Sequence, residues 1–261
     1  GSSDGDGAEE DRKGLLTGLM QPATEGERGK EEEGTSTPAS NSTFVSFYGR
    51  HVPLSEVVKT WRAYCLMAVF CTVAGSGLLV INNIQAVAHA VGAEPSTFFV
   101  SLVSLANSLG RVGLGVLADA LAGKVARLQL LALTCLSMAC TLMVLSLGEP
   151  ALLFLSLLLV GAAFGAAFGN VAAIAADLWG TQYIGSNYGF IDLSPIIGTY
   201  IFSTGLVAAL YPQGHQGDEE DDDGCVGAVC FRAIFWVSAG CCLGAAVLCL
   251  LLHLRTPMRN C

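Results

Sequence analysis

Charge is scarce in this sequence and unevenly spread. Only 13% of its 261 residues are Asp, Glu, Lys or Arg, where a soluble domain carries roughly 25%. A water-soluble core of this length is excluded by that deficit. One acidic cluster lies before residue 34 and another runs from Asp218 to Asp223, with long, almost uncharged stretches between them. A bilayer imposes that kind of segregation. The formal net charge of −9 therefore describes two acidic polar segments and not a charged face on a fold.

Further absences exclude whole classes of function. No basic patch with interleaved aromatics is present, so nucleic-acid binding has nothing to rest on. No CxxC pair is matched by a second pair, and no metal site or cofactor is expected. No Ser/His/Asp or HExxH constellation exists, so an enzyme reading lacks support. The chain begins at Gly1 and not Met, carries no signal-peptide pattern, and reads as a piece of a longer protein.

Of the ten cysteines, Cys65, Cys71, Cys135, Cys140, Cys241, Cys242 and Cys249 fall inside apolar segments and read as small membrane-buried side chains. Cys225 and Cys230 flank a polar loop, where a disulfide is possible if the loop is extracytoplasmic.

What is present is apolar length. Residues 1–50 are rich in Gly, Ser, Thr, Glu and Asp; they cannot bury enough apolar area to offset chain entropy and are expected to form a disordered acidic cytoplasmic segment. Residues 51–254 are expected to hold a six-helix transmembrane bundle and 255–261 a short cytoplasmic tail. The spans run roughly Trp61 to Ala86, Ser96 to Leu121, Leu128 to Leu147, Ala151 to Ala176, Tyr188 to Tyr211 and Ala233 to Leu252. Each is close to the ~20 residues that cross the hydrocarbon core. No dyad alternation runs through them, so strands are excluded. The fold class is an all-α membrane protein.

Orientation follows from the cations near the span ends. Arg50, Lys59 and Arg62 precede the first span, Lys124 and Arg127 separate the second and third, and Arg255 and Arg259 follow the sixth. Six crossings put all three groups on one side, taken as the cytoplasm, so both termini are expected there. The opposite side carries Glu94, Glu149 and the acidic run, with Arg232 the exception.

Several residues stand out within the spans. Gly161, Gly165 and Gly169 form a stripe on one helix face that lets another helix approach closely. Gly75 and Gly77 are expected to serve packing. Arg111 is a cation within an apolar span, which is costly and usually paired or turned to a cavity. The glycines around it do not make a nucleotide-binding loop, because no strand precedes them. Asn82, Asn83, Asn107, Asn170 and Asp192 are the other deep polar residues, and with Arg111 they are candidates for a solute pathway. For each amide the plainer alternative is an interhelical hydrogen bond, and for Asp192 a helix-end acid.

Gly115-x-x-x-Asp119 followed by Gly123-Lys124 resembles the loop signature of the major facilitator superfamily, found after the second helix and again after the eighth. The family form has a basic residue directly after the Asp, where this chain has Ala120, and its Gly comes one residue earlier. Gly75–Ile84, Ser104–Gly113 and the stretch from Leu178 to Phe190 resemble the C-terminal half of nodulin-like transporters. The resemblance implies that the six spans are helices seven to twelve of a twelve-helix carrier. It also implies a lipid bilayer, a small-molecule solute and an absent N-terminal six-helix half as partners. By the same resemblance, two bundles rock around a midplane site to give secondary transport, and Asp119 faces a helix N-terminus of the other half. A non-transporting membrane scaffold or receptor-like bundle is the alternative; a polar lining across several helices distinguishes transport from that dry bundle.

Overall fold

The computed structural model describes residues 51–94, 97–211, 227 and 229–255. The expected segment 1–50, the tail beyond Arg255, Cys225 and the acidic run Asp218–Asp223 lie outside the described residues. Among the described residues every element is helical. Six spans are long and apolar enough to cross a membrane: α1 (Trp61–Asn82), α2 (Thr97–Ala120), α3 (Arg127–Leu145), α4 (Pro150–Trp179), α5 (Ile184–Leu210) and α6 (Val229–Arg255). At ~1.5 Å per residue, even the 19 residues of α3 nearly match a hydrocarbon core of ~30 Å.

Small residues decide which helices touch. A Cβ added to Gly161 would sit 2.7 Å from the Val103 carbonyl oxygen, one at Gly165 would run into the Asn107 carbonyl, and one at Gly169 would lie 3.5 Å from the Arg111 carbonyl oxygen. These pairs share one register, each α4 residue meeting the α2 residue 58 positions earlier (161 − 103, 165 − 107, 169 − 111). A constant offset of that sign means that α2 and α4 run parallel, as two helices on either side of one antiparallel span must. In the same way a Cβ at Gly75 would lie 2.8 Å from the Gly198 backbone, which brings α1 and α5 into backbone contact, also parallel. Gly77 faces Phe164, at 2.6 Å from a built Cβ. Side chains of α1, α3, α4 and α6 fill the core, including Phe70, Met138, Leu157 and Ile234, all fully buried. Cys135, Cys242 and Cys249 sit in it as free thiols at the α3–α6 contact.

Hydrogen bonds fix one end of the bundle. The Val52 N–H donates to the Trp179 carbonyl at the close of α4 (3.1 Å), and the Val52 carbonyl accepts from Asn187 Nδ2 in the first turn of α5 (2.9 Å). Asn170 Nδ2 donates to the Arg127 carbonyl at the start of α3 (2.9 Å). Lys59, Arg62, Lys124 and Arg127 therefore gather at the same end. At the other end the Gly227 N–H donates to the Ala90 carbonyl (2.7 Å).

Three boundaries differ by four residues from the sequence reading. α1 stops at Asn82, and Asn83 (φ −106°, ψ 18°) separates it from a short helix, Ile84–Ala90. Asn83 Nδ2 takes the Leu79 carbonyl (2.8 Å), a local side-chain bond that competes with the helix ladder. α5 begins at Ile184, four residues early, because Gly185, Ser186 and Gly189 read as loop; of that stretch Asn187 is buried. Within α5, Thr199–Leu206 is π-helical. α6 begins at Val229, so Arg232 is in its first turn.

Candidate functional site

Two spans remain open. Of the most apolar 18-residue window of α2 only 11% is buried, and of α5 22%, against 44–61% for the other four. Along the exposed side of α2 run Ser101, Ser104, Ser108, Arg111, Gly115 and Asp119, every one of them exposed. Their spacings of three and four keep them on one helix face. The serine hydroxyls donate to carbonyls four residues back, at 3.4 Å (Ser101), 2.8 Å (Ser104) and 3.1 Å (Ser108). Their donors are satisfied and their oxygens can still accept. A polar stripe of that length cannot lie against acyl chains at low cost; it fits a water-filled path or the face of another bundle. The three serines were not singled out from sequence, although their spacing carries the signal.

Arg111 lies in the middle of this stripe. Its Nε donates to Asn107 Oδ1 at 3.3 Å, and its guanidinium carbon stands 4.9 Å from the centroid of the Phe168 ring of α4. The ring face attracts the cation, and the amide orients the fork. On α5, Tyr188 and Asp192 lie one turn apart, both half-buried. Asp192 is half-buried, and its Oδ1 is enclosed without a hydrogen-bond partner. The salt bridge found among the described residues joins Arg127 Nε to Asp177 Oδ2 (3.1 Å), and leaves Arg111 and Asp192 without ion-pair partners there. Arg111 is nine residues from the end of α2 and Asp192 eight from the start of α5. Both are therefore ~12–14 Å in from the cationic end. Asn107, Arg111 and Phe168, from α2 and α4, form one cluster.

Other candidates lie elsewhere. Asn170 is closed in against α3, 2% exposed, with its Oδ1 unpartnered. Asn82 Nδ2 and Asn83 Nδ2 both reach Ser203 Oγ, at 3.1 and 3.4 Å, at the far end of α1. Asp119 is exposed in the last turn of α2, and a Cβ on Gly115 would meet nothing within 4 Å. Gly123 adopts φ +80°, the left-handed conformation that suits glycine after a helix end, and Lys124 beyond it is exposed. Cys230 is disulfide-bonded; Cys225 lies outside the described residues. The Arg127–Asp177 pair was missed as a pair, because two residues 50 apart in sequence carry no spacing signal.

Residues 35–259 match the family model described as NFD4, C-terminal domain. Among curated proteins the chain is similar to "Probable transporter mch1" of Neurospora crassa, with 35% identity over 89 residues, 31% of this chain and 14% of that protein. The protein of the same name from Emericella nidulans is 32% identical over 93 residues, 36% of this chain and 14% of that protein. One from Gibberella zeae is 33% identical over 86 residues, 30% and 15%. The chain thus spans only about 15% of the length of the curated relatives it matches.

Proposed function

The chain belongs to the NFD4, C-terminal domain family, and from that premise we infer that it forms one six-helix half, residues 51–254, of a secondary transporter for a small solute. The observation that carries this reading is the exposed polar stripe of α2 with Arg111 at its centre. A dry scaffold has no use for an unpaired cation ~13 Å inside a membrane, where it is expensive. Relatives named as probable transporters support the same direction.

The α2–α5 face borders the solute path, and a second six-helix bundle closes it from the other side. The two halves rock about the Arg111 cluster so that it opens alternately to each side. Asn107 and Arg111 contact the solute. Asn82 and Asn83 line its outer approach, and Asp119 braces the two bundles at the cytoplasmic edge by facing a helix N-terminus. The end carrying Lys59, Lys124 and Arg127 is cytoplasmic, by the positive-inside bias.

Uptake by the intact protein in liposomes, screened over small solutes at several pH values, tests this reading. Arg111→Ala and Asp119→Ala are each expected to lower uptake while membrane insertion stays normal. Wild-type uptake in both variants, or no uptake of any solute by the wild type, overturns it.

A further inference from the structure

Given transport along the α2–α5 face, on which this inference rests, we propose that the short helix Ile84–Ala90 is a lid over the outer mouth of the path, latched by Ser203 of α5 and free to move within this half of the carrier.

Two parallel helices are interrupted at one level. α1 runs for 22 residues, ~33 Å at ~1.5 Å per residue, so its break at Asn83 falls at the far edge of the hydrocarbon. Beside it α5 winds as a π-helix from Thr199 to Leu206, a form that is rare and found mostly at functional positions. Ser203, in the middle of that stretch, joins the two. Its Oγ accepts from Asn82 Nδ2 at 3.1 Å and from Asn83 Nδ2 at 3.4 Å. Toward the cationic end the same helices are clamped. A Cβ on Gly75 would lie 2.8 Å from the Gly198 backbone, and one on Gly198 would run into the Cys71 carbonyl. Further down, the rings of Tyr64 and Phe190 pack edge to face, with centroids 6.3 Å apart. The clamp is backbone against backbone and resists sliding. The node at Ser203 is three side chains, and it can let go.

Water decides which contact yields first. Asn82 is exposed, so opening the node exchanges an amide–hydroxyl bond for bonds to water, and the net cost of that exchange is small. At its other end the lid is tethered, because the Ala90 carbonyl accepts from the Gly227 N–H at 2.7 Å. One side of the lid is apolar, with Ile84, Val87 and Ala88 buried. Held at Ala90 and released at Asn83, the lid swings about its tether. It adds a local gate to the rocking of the two halves, in a place where a wholly rigid half would have none.

A bridge across the node tests the lid, because a rigid half is indifferent to a bridge inside itself. The native cysteines of the intact protein are first replaced. Asn82→Cys with Ser203→Cys is then joined by a short bis-methanethiosulfonate, which reductant removes. Tyr64→Cys with Phe190→Cys bridges the same two helices below the clamp. Uptake into liposomes is compared for each pair with the bridge in place and after reduction. The node bridge is expected to cut uptake on the order of tenfold or more, with recovery on reduction, as a closed lid does; the lower bridge should change it little. Uptake that survives the node bridge, or that falls equally with both, overturns the lid. Hydrogen exchange gives a readout that needs no uptake. Ser203→Ala should speed exchange of the Ile84–Ala90 amides severalfold and leave those of α3 unchanged; equal exchange at Ile84–Ala90 overturns the latch. The liposome assay keeps this failure separate from that of the transport reading. Uptake indifferent to the node bridge removes the lid alone, and absence of all uptake by the wild type removes both.

Discussion

Asn107 illustrates how much a single side chain contributes to this site. It is half-buried between α2 and α4, and its Oδ1 holds the Arg111 Nε. Asn107→Leu keeps the branched shape and removes the acceptor, so the guanidinium loses its orientation while the helix contact survives. Solute affinity is expected to fall severalfold with expression little changed; equal affinity would assign Asn107 to packing. Asn187 behaves differently. It is fully buried and ties α5 to the carbonyl of Val52. Asn187→Ala leaves that carbonyl without its partner and should lower stability by about 1–2 kcal/mol, seen as a lower Tm in detergent. An unchanged Tm would mean that water replaces the amide. Sequence alone placed Asn107 and Arg111 in mid-span because depth can be counted from span ends. It could not separate Asn170, which bonds to the Arg127 carbonyl, from Asn107, because the partner of a lone amide is set by a neighbouring helix.

At the level of helices, glycine placement determines the neighbours. Gly165 touches the Asn107 carbonyl so closely that any side chain must push backbone, while Gly113 has nothing within 4 Å of a built Cβ. Gly165→Leu is expected to destabilise the bundle by ~3 kcal/mol or more, as overpacking against rigid backbone does, and to cut the yield of folded protein. Gly113→Leu should fold normally. Comparable yields for the two would show that α2 and α4 do not meet as described. The stripe Gly161, Gly165 and Gly169 was legible because glycines four apart serve few other purposes in a span. The breaks in α1 and α5 were not. Asn83 ends α1 by bonding back to Leu79, and Thr199–Leu206 winds as a π-helix; both depend on side-chain competition that periodicity does not register. The early start of α5 was hidden for a related reason, since Gly185, Ser186 and Gly189 are polar or small in the way loops are.

For the whole molecule, length and charge were enough to give six crossings, because the hydrophobic requirement of a bilayer is coarse and each span satisfies it separately. Which side each end faces is testable. Single cysteines at Lys59, Lys124 and Arg255 should react with an impermeant thiol reagent from the cytoplasm, and one at Glu94 only from outside; the native cysteines are first replaced by alanine or serine. Reaction of the first three from opposite sides would break the shared-end arrangement. The 30 residues of α4 have a further consequence. At ~1.5 Å per residue they extend ~45 Å, well past a hydrocarbon layer of ~30 Å. The ionised pair Arg127–Asp177, 35% and 39% exposed, cannot be drawn into oil, so the surplus turns must stand among the headgroups at that edge. They make a wet collar on the bundle. In a thicker membrane the bilayer will thin around α4 before that pair is drawn into the hydrocarbon.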